Sequence, residues 1–341
     1  MRITKKPSTR TTAERSWSCS PWAWANYTED DIKECARAFT GWTTHNAEYM
    51  AMMSQKDSIW PYGRLNRHFE FRADDHDDGE KVFLGERGRF NGDDVIDIIC
   101  RQPTTTRFIA RHLYNFFVAD EAPVPQWDSI PPRDPEAIAV LSQEYADSGH
   151  EIRSTLRVLF NSDFFKKAHL ARVKSPTELV VGTLRMTGEF REPVAGDLGV
   201  DEAMGETGFM GQDLMNPPSV EGWHAGEEWI NSGALVDRVN FAAKRVADVS
   251  NPGVREMVDR IVLECGDIRA PDALVDTCLD VVGPMAVSDE TRDSIVEVAS
   301  RARDDLQGDG QGNGRSGNGD DEQRIVDVLK MIVSSREYQL C

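Results

Sequence analysis

The stretch TTTRFIARHLYNFFVA, residues 104–119, indicates the fold class of this chain. Its apolar side chains recur every three or four positions, a spacing that places them on one side of an α-helix. The residues on this broad face are Phe108, Ile109, Leu113, Phe116 and Phe117. A second helix of the same kind starts at Asp93 or Asp94 and stops before Pro103. The segment therefore predicts two consecutive amphipathic helices.

Helix-start signals and apolar periodicity extend this interpretation to most of the chain. Thr28 is followed three residues later by Asp31, and Ser175 by Glu178, which are capping-box patterns at helix N-termini. The helix that starts after Thr28 is expected to run to Gly41. Further helices are predicted at about residues 135–148, 151–162, 175–188, 233–248, 253–264, 271–282, 288–306 and 321–335.

One β-hairpin interrupts the helices. HFEFRA (residues 68–73) alternates aromatic and polar side chains, and KVFLG (81–85) follows after the acidic stretch between them. Two short β-rich runs around a polar, glycine-containing loop indicate an antiparallel pair. The predicted fold class is therefore mainly α, a multi-helix globular array with one small hairpin at about residues 68–85.

Bulk properties exclude several classes of function. The net charge is −19, and the sequence shows no stripe of Lys and Arg residues of the kind that binding to DNA or RNA requires. No window approaches the roughly 18 apolar residues of a membrane helix, and the basic start has no apolar segment behind it, so no secretory signal is visible. The six cysteines show no zinc-site spacing, which favours reduced or partly buried thiols.

The acidic stretch from Asp74 to Lys81 is the first candidate for chemistry. Asp74, His76 and Asp78 could ligate a hard cation, although the stretch is no EF-hand because Gly85 stands where a bidentate Glu is required. His76, Asp77 and Asp78 are also candidate acid/base residues. The alternative is a solvated turn in which an Asp side chain caps backbone N–H groups.

The second candidate is the loop of residues 216–231, NPPSVEGWHAGEEWIN. Trp223 and Trp229 could line a sugar pocket, with Glu227 or Glu228 as general acid or base. The alternative is a structural loop in which both tryptophans pack and both acids occupy the first turn of a helix, where the macrodipole favours them.

Two cations are candidate binding residues, Lys81 at the end of the acidic stretch and Arg111 on the 104–119 helix. Ion pairing with acidic loops is the alternative for Arg111. Because the chain contains no G-x-S-x-G, H-E-x-x-H, Walker or dinucleotide motif, the sequence leaves open whether the protein is an enzyme, and it identifies no cofactor.

Taken in order, several stretches resemble one bacterial family. His76-Asp77-x-Gly79-x-Lys81-x-x-Leu84-Gly85 comes first. TRFIARHLYNFFVAD, VKSPTELVVGTLR, NPPSVEGWHAGEEWINSGAL and the closing VLKMIVSSREYQ follow it. Across roughly residues 26–340 they are similar to the domain of unknown function 1800 family. The resemblance implies a largely helical, often exported protein, frequently encoded beside a sulfatase-like protein of the domain of unknown function 1501 family. It supplies no established catalytic residues.

The resemblance also bears on the N-terminus. Family members carry a helix of the type R-x-L-M-E-L-F-x-L-G-V-G where this chain has a tryptophan-rich stretch, and a one-base frameshift of residues 13–25 permits RALMELFSLGVG. We therefore expect residues 1–25 to be out-of-frame or disordered, and the N-terminal part of the family domain to be missing. The remaining organisation predicted is a helical domain (26–306), a flexible Gly/Asn/Asp loop (307–321), and a C-terminal helix (322–341) packing back on the domain.

Three functional hypotheses follow from this sequence. The first is an exported protein, periplasmic or extracellular, that binds or assembles with the sulfatase-like protein through the acidic hairpin and the Trp223–Trp229 loop. The second is a hydrolase for polysaccharide-type substrates with carboxylate or histidine acid/base residues. The third is a truncated product without function. The oligomeric state is left open.

Overall fold

The computed structural model describes residues 27–45, 68–191, 199–218, 222–223, 225–283, 285–304 and 318–341. The predicted out-of-frame segment 1–25 and most of the predicted loop 307–321 lie outside these residues. Helices dominate the described part, which confirms a mainly α fold. None of these helices is both long and apolar enough to cross a membrane.

The helices begin and end close to the predicted positions, and two were missed, α6 and α8. Their bounds are α1 Glu29–Ala38, α2 Gly92–Cys100, α3 Pro103–Phe117, α4 Pro135–Asp147, α5 Ile152–Asn161, α6 Asp163–Lys167, α7 Pro176–Thr187, α8 Gly199–Phe209, α9 Ser232–Val246, α10 Pro252–Glu264, α11 Pro271–Val282, α12 Asp289–Asp304 and α13 Asn318–Ser334. The last helix thus includes residues 318–321, the end of the predicted flexible loop.

Both predicted capping boxes form. The Asp31 backbone N–H donates to Thr28 Oγ1 at 3.2 Å while the Asp31 carboxylate accepts from the Thr28 backbone N–H at 2.8 Å. Ser175 and Glu178 make the same reciprocal pair at the start of α7, where Pro176 occupies the first turn. These local signals explain why the helix starts were predictable.

The predicted hairpin pairing was wrong. The described strands form two antiparallel pairs, β1 (Trp42–His45) with β2 (His68–Phe71), and β3 (Lys81–Phe83) with β4 (Glu86–Gly88). The β3–β4 turn consists of Leu84 and Gly85, which both have positive φ, at 47° and 82°. A two-residue turn of this kind matches the natural twist of a hairpin, so β3 pairs with the strand that follows it rather than with β2.

The buried side of α3 also differs from the predicted face. The side chains that pack inward are Ala110, Arg111 and Tyr114, whereas Phe116 is 61% exposed. The apolar residues of this helix are spread too broadly around its axis for periodicity alone to identify the core side.

The chain divides into two compact units, one within Met1–Phe117 and Ala122–Phe165, the other Val118–Glu121 with Lys166–Cys341. The single helical domain expected over residues 26–306 stays a prediction. In the first unit, buried side chains of α1, β3 and α2 form a core around Phe83. In the second, α7 and α9–α13 pack around a larger core that includes Ile261, Leu274 and Leu329.

The C-terminal residues are built into the second unit. Val173 and Leu340 form an isolated antiparallel bridge, and the Lys174 backbone N–H donates to the Gln339 carbonyl at 2.9 Å. The Tyr338 and Thr183 hydroxyls hydrogen-bond at 2.9 Å, and both residues are buried. Ser335 Oγ accepts from the Tyr338 backbone N–H at 3.3 Å, which starts the 3-10 turn Glu337–Gln339. These contacts fix residues 334–341, here called the C-terminal wall, against the rest of the second unit.

Candidate functional site

The acidic loop, residues 73–81, connects β2 to β3 in the first unit. His76 is only 6% exposed. Its Nδ1 lies 2.8 Å from the Thr40 carbonyl oxygen. Because a carbonyl oxygen can only accept, Nδ1 is the protonated ring nitrogen and donates a hydrogen bond to that oxygen. The ring also contacts Phe71 edge to face, with ring centroids 5.4 Å apart. His76 is therefore a packed histidine that joins the loop to the end of α1.

Asp77 is held by charge and by the backbone. Arg37 Nε donates to its Oδ2 at 3.0 Å, and the Gly79 backbone N–H donates to its Oδ1 at 2.9 Å. The Asp77 backbone N–H in turn donates to Thr40 Oγ1 at 2.8 Å. The hydrogen bond from Arg37 lowers the pKa of the Asp77 carboxyl to about 2, so this group is a carboxylate at neutral pH and a poor proton donor.

Gly79 and Lys81 close the loop from the inside. A Cβ at Gly79 would lie 2.7 Å from Arg37 Nη2 and 2.9 Å from Asp77 Oδ1, so the Arg37–Asp77 pair leaves no space for a side chain. Lys81 is 1% exposed, and its ammonium donates to the carbonyl oxygens of Asp77 and Gly79. Burial lowers the pKa of the Lys81 ammonium. The H-D-x-G-x-K pattern therefore encodes a loop stabilised by its own contacts.

This arrangement fits the structural alternative for the loop, with one difference. Asp77 caps a backbone N–H, as that alternative expects, but His76 and Lys81 are buried rather than solvated. Asp74 and Asp78 are exposed. Within the described residues, no group of three or more His, Cys, Asp or Glu side chains is arranged to hold a metal ion, so the metal site suggested for Asp74, His76 and Asp78 gains no support.

Arg111, the second candidate binding cation, is also internal. It is 4% exposed, its Nη1 donates to the Trp127 carbonyl at 3.2 Å, and its guanidinium lies 4.6 Å from the centroid of the Trp127 ring. These contacts join α3 to the 3-10 turn Val124–Gln126 that precedes Trp127. Arg111 therefore supports the first unit and presents no charge for a ligand.

In the second unit, the described residues of the loop 216–231 include side chains that are packed or hydrogen-bonded. Trp229 is 6% exposed, and Trp223, which is half-buried, donates from Nε1 to the Asp213 carbonyl at 3.1 Å. Gly226 has φ +62°, and a Cβ there would lie 3.1 Å from Asp120 Cγ. Asp120 Oδ2 accepts from the Val173 backbone N–H at 2.7 Å. The 3-10 turn Gly226–Trp229 is thus packed beside Asp120, which in turn accepts the hydrogen bond from Val173.

Beside this turn the second unit contains a cavity of about 610 Å³, here called the C-terminal cavity. Its apolar lining consists of Val173, Ile230, Leu235, Val239 and Leu340. Glu227, the one sequence-predicted site residue in it, contributes the only carboxylate side chain of the described lining residues. Neither Trp223 nor Trp229 is among those lining residues, so the predicted aromatic sugar platform does not coincide with the cavity.

The polar side of the cavity comes from the C-terminal wall, through Ser334, Ser335, Arg336 and Gln339. Arg336 is exposed, and its guanidinium makes no hydrogen bond or ion pair with the described residues. The Glu227 carboxylate is likewise exposed and has no partner among them. The cavity is therefore lined by one negative residue, Glu227, and one positive residue, Arg336, and the two do not form an ion pair with each other.

A second cation lies behind the wall. Arg238 is fully buried, donates from Nε to Gln339 Oε1 at 2.9 Å, and donates from Nη2 to the Lys174 carbonyl at 2.7 Å. Its Nη1 has no hydrogen-bond partner, and its charge interacts with the Glu178 carboxylate. Burial lowers the pKa of the Arg238 guanidinium to about 10, so it remains charged at neutral pH.

The sequence did not single out Arg238, Arg336 or Gln339. The segment SSREYQ was noticed for its similarity to the family's last helix, but its spacing carries no catalytic or ligand-binding pattern. Only folding brings the lining residues of the cavity together, because Val173, Glu227 and Arg336 come from three distant parts of the chain.

Comparison with known proteins agrees with this order of motifs. The family described as "Protein of unknown function (DUF1800)" matches residues 23–340. The chain belongs to this family. The searches of curated proteins and of solved structures found no significant match. Within this DUF1800 chain, the H-D-x-G-x-K residues lie in the acidic loop of the first unit, and the closing SSREYQ residues lie in the C-terminal wall of the second.

Proposed function

We propose that this DUF1800 protein acts by binding, as an assembly partner of another protein, and not as a hydrolase. The observation that carries the proposal is the state of the acidic loop. His76, Asp77 and Lys81 are engaged with Thr40, Arg37 and backbone carbonyls, so they are unavailable for proton transfer to a substrate. The outer side of the same loop presents the exposed carboxylates Asp74 and Asp78 as a contact surface.

The partner that we propose is the sulfatase-like protein of the domain of unknown function 1501 family, expected from the resemblance of this chain to its own family. The same resemblance supports a periplasmic or extracellular location. Fractionation of the native host with an antibody against this chain tests the location, and recovery of the chain only with the cytoplasmic fraction would contradict it.

Co-purification of the two proteins tests the partnership. Tagged full-length chain, co-expressed with the sulfatase-like protein, should retain it. Reversing the charge of the loop with Asp74→Lys and Asp78→Lys should abolish retention, since both side chains are exposed. The matched control is Asp237→Lys with Asp280→Lys, two exposed carboxylates of the second unit, which should leave retention unchanged. Equal retention by all three forms would contradict the proposed surface, and no retention by the wild type would contradict the partnership.

A hydrolase is the second candidate, and Glu227 is the observation that favours it. Glycoside hydrolysis ordinarily needs two carboxyl groups about 5–10 Å apart, one of them an acid. Glu227 is the only carboxylate side chain among the described residues that line the C-terminal cavity. Release of reducing sugar from a panel of polysaccharides by the wild type, lost in Glu227→Gln, would establish this alternative against our proposal.

A product without function is the third candidate. Both units have their own buried cores, which supports independent stability. Thermal unfolding followed by circular dichroism separates the two views, because a folded protein gives a cooperative transition and a chain that lacks part of its core does not.

A further inference from the structure

The C-terminal cavity carries an inference beyond the proposed partnership. Its apolar lining residues are aliphatic, and the side chains of its two exposed charged residues, Glu227 and Arg336, have no partner among the described residues. We propose that the cavity binds an apolar zwitterion, a short aliphatic peptide or free aliphatic amino acid, with its ammonium at Glu227 and its carboxylate at Arg336.

The positions of the charges give the ligand its direction. Glu227 belongs to the 3-10 turn Gly226–Trp229, whereas Arg336 belongs to the C-terminal wall together with Gln339. Arg238, buried behind Gln339, interacts with the Glu178 carboxylate, so Arg336 is the cation that the cavity itself presents on this side. A ligand carboxylate is therefore favoured at the wall and disfavoured at the turn.

The lining accounts for the apolar body of the ligand. Leu235 and Val239 are four residues apart on α9 and so lie on the same side of that helix, and Val173 and Leu340 meet as bridge partners. Leu235 is 39% exposed although it lines a cavity, so a ligand would remove this side chain from water. The cavity volume of about 610 Å³ falls within the usual range of small-ligand sites, roughly 300–1,000 Å³.

The polar groups of the cavity argue against a neutral or singly charged ligand. A purely apolar ligand would bury Glu227 and Arg336 against hydrocarbon, which is unfavourable for both ionised groups. A simple carboxylate would pair with Arg336 but leave Glu227 with a like charge nearby. Only a ligand with both termini ionised satisfies the two groups together.

Isothermal titration calorimetry of the full chain tests the inference. The probes are Leu-Leu-Leu, its N-acetyl form, its C-terminal amide, and free leucine. Leu-Leu-Leu should bind, and blocking either terminus should weaken binding about tenfold or more, because each block removes one charge-assisted interaction. Comparison with free leucine decides between a peptide and a single amino acid as the better source of the same chemistry.

Two substitutions assign the termini. Glu227→Gln should weaken Leu-Leu-Leu about tenfold and leave the N-acetyl peptide no weaker, while Arg336→Gln should weaken Leu-Leu-Leu equally and leave the amide unchanged. Both side chains are exposed, so both variants should fold. Glu228→Gln, at the neighbouring position whose side chain is not among the described lining residues, is the matched control and should bind as the wild type does.

The results that overturn the inference are equally defined. They are the absence of binding by every probe, equal binding of blocked and free peptides, or tighter binding of the N-acetyl peptide than of Leu-Leu-Leu, which would indicate a simple carboxylate site. The experiment contains no sulfatase-like protein, so it succeeds or fails independently of the proposed partnership.

Discussion

The acidic loop and the C-terminal cavity use charged residues in opposite ways. In the loop, Asp77 and Lys81 are engaged by Arg37 and by backbone carbonyls, and the resulting contacts stabilise the first unit. In the cavity, Glu227 and Arg336 face open space without partners among the described residues. The loop is the denser cluster in the sequence, yet the cavity is the better candidate for a ligand.

Residue type and local density therefore do not decide whether a charged side chain is available to a ligand. Availability depends on partners that come from elsewhere in the chain. Asp77 pairs with Arg37, 40 residues away in the sequence, whereas no described residue forms an ion pair or hydrogen bond with the Arg336 guanidinium. A charged side chain that folding leaves unpaired costs no desolvation when it stays exposed and can instead be paired by a ligand.

The largest expected difference between the two regions comes from removing one cation from each of them, Lys81 from the loop and Arg336 from the cavity. Lys81→Met should lower the free energy of unfolding by about 2–4 kcal/mol, because it removes a buried ammonium and leaves two part-buried carbonyl oxygens without their donor. Arg336→Met should change it by no more than about 0.5 kcal/mol, since that guanidinium is exposed. Urea unfolding followed by circular dichroism measures both, and equal costs would contradict the distinction between the regions.

The next effect tests how tightly the loop is packed. Gly79→Ala should destabilise the first unit by about 1–2 kcal/mol, since the new methyl group displaces Arg37 from Asp77. Gly182→Ala, in open space on α7, should instead stabilise by about 0.5–1 kcal/mol through its higher helix propensity. Midpoint temperatures that shift in the same direction for both variants would show that the loop has space for a methyl group at residue 79.

A smaller effect concerns the C-terminal wall, where the buried Tyr338 hydroxyl is hydrogen-bonded to Thr183. Tyr338→Phe should cost about 1 kcal/mol, because it leaves the buried Thr183 hydroxyl without its partner. A double-mutant cycle with Thr183→Val measures the coupling of the two hydroxyls. Additive costs would mean that the hydrogen bond contributes nothing to holding the wall.

The fold was predictable from the sequence where the signals are local. The capping boxes at Thr28 and Ser175 and the apolar periodicity of the helices depend on neighbours within four residues. The pairing of β2 was mispredicted because its partner, β1 (Trp42–His45), precedes it and is separated from it by residues 46–67. Strand pairing is a non-local choice that turn chemistry settles only for adjacent strands such as β3 and β4.

The candidate site was predictable only in part, for the same reason. Glu227 was chosen for its residue type and lies in the cavity, whereas His76 and Lys81 were chosen on the same grounds and are buried in the loop. Arg336 belongs to no motif, and its position in the cavity lining depends on tertiary contacts such as the bridge between Val173 and Leu340. Such a contact is set by tertiary packing rather than by spacing.

A matched pair of carboxylate-to-amide variants, Asp77→Asn and Glu227→Gln, unfolded in urea across pH, tests whether the charges of the two regions serve different purposes. The pKa of Asp77 is lower in the folded protein than in an unfolded chain, so its ion pair stabilises the protein above about pH 4, and this contribution is lost as the pH falls toward about 2. Asp77→Asn should therefore cost about 1–2 kcal/mol at pH 7 and progressively less below pH 4. Glu227→Gln should stay within about 0.5 kcal/mol of the wild type at pH 7. A cost-free Asp77→Asn, or an equal cost for Glu227→Gln at pH 7, would contradict the claim that the loop's charges serve the fold and the cavity's charges do not.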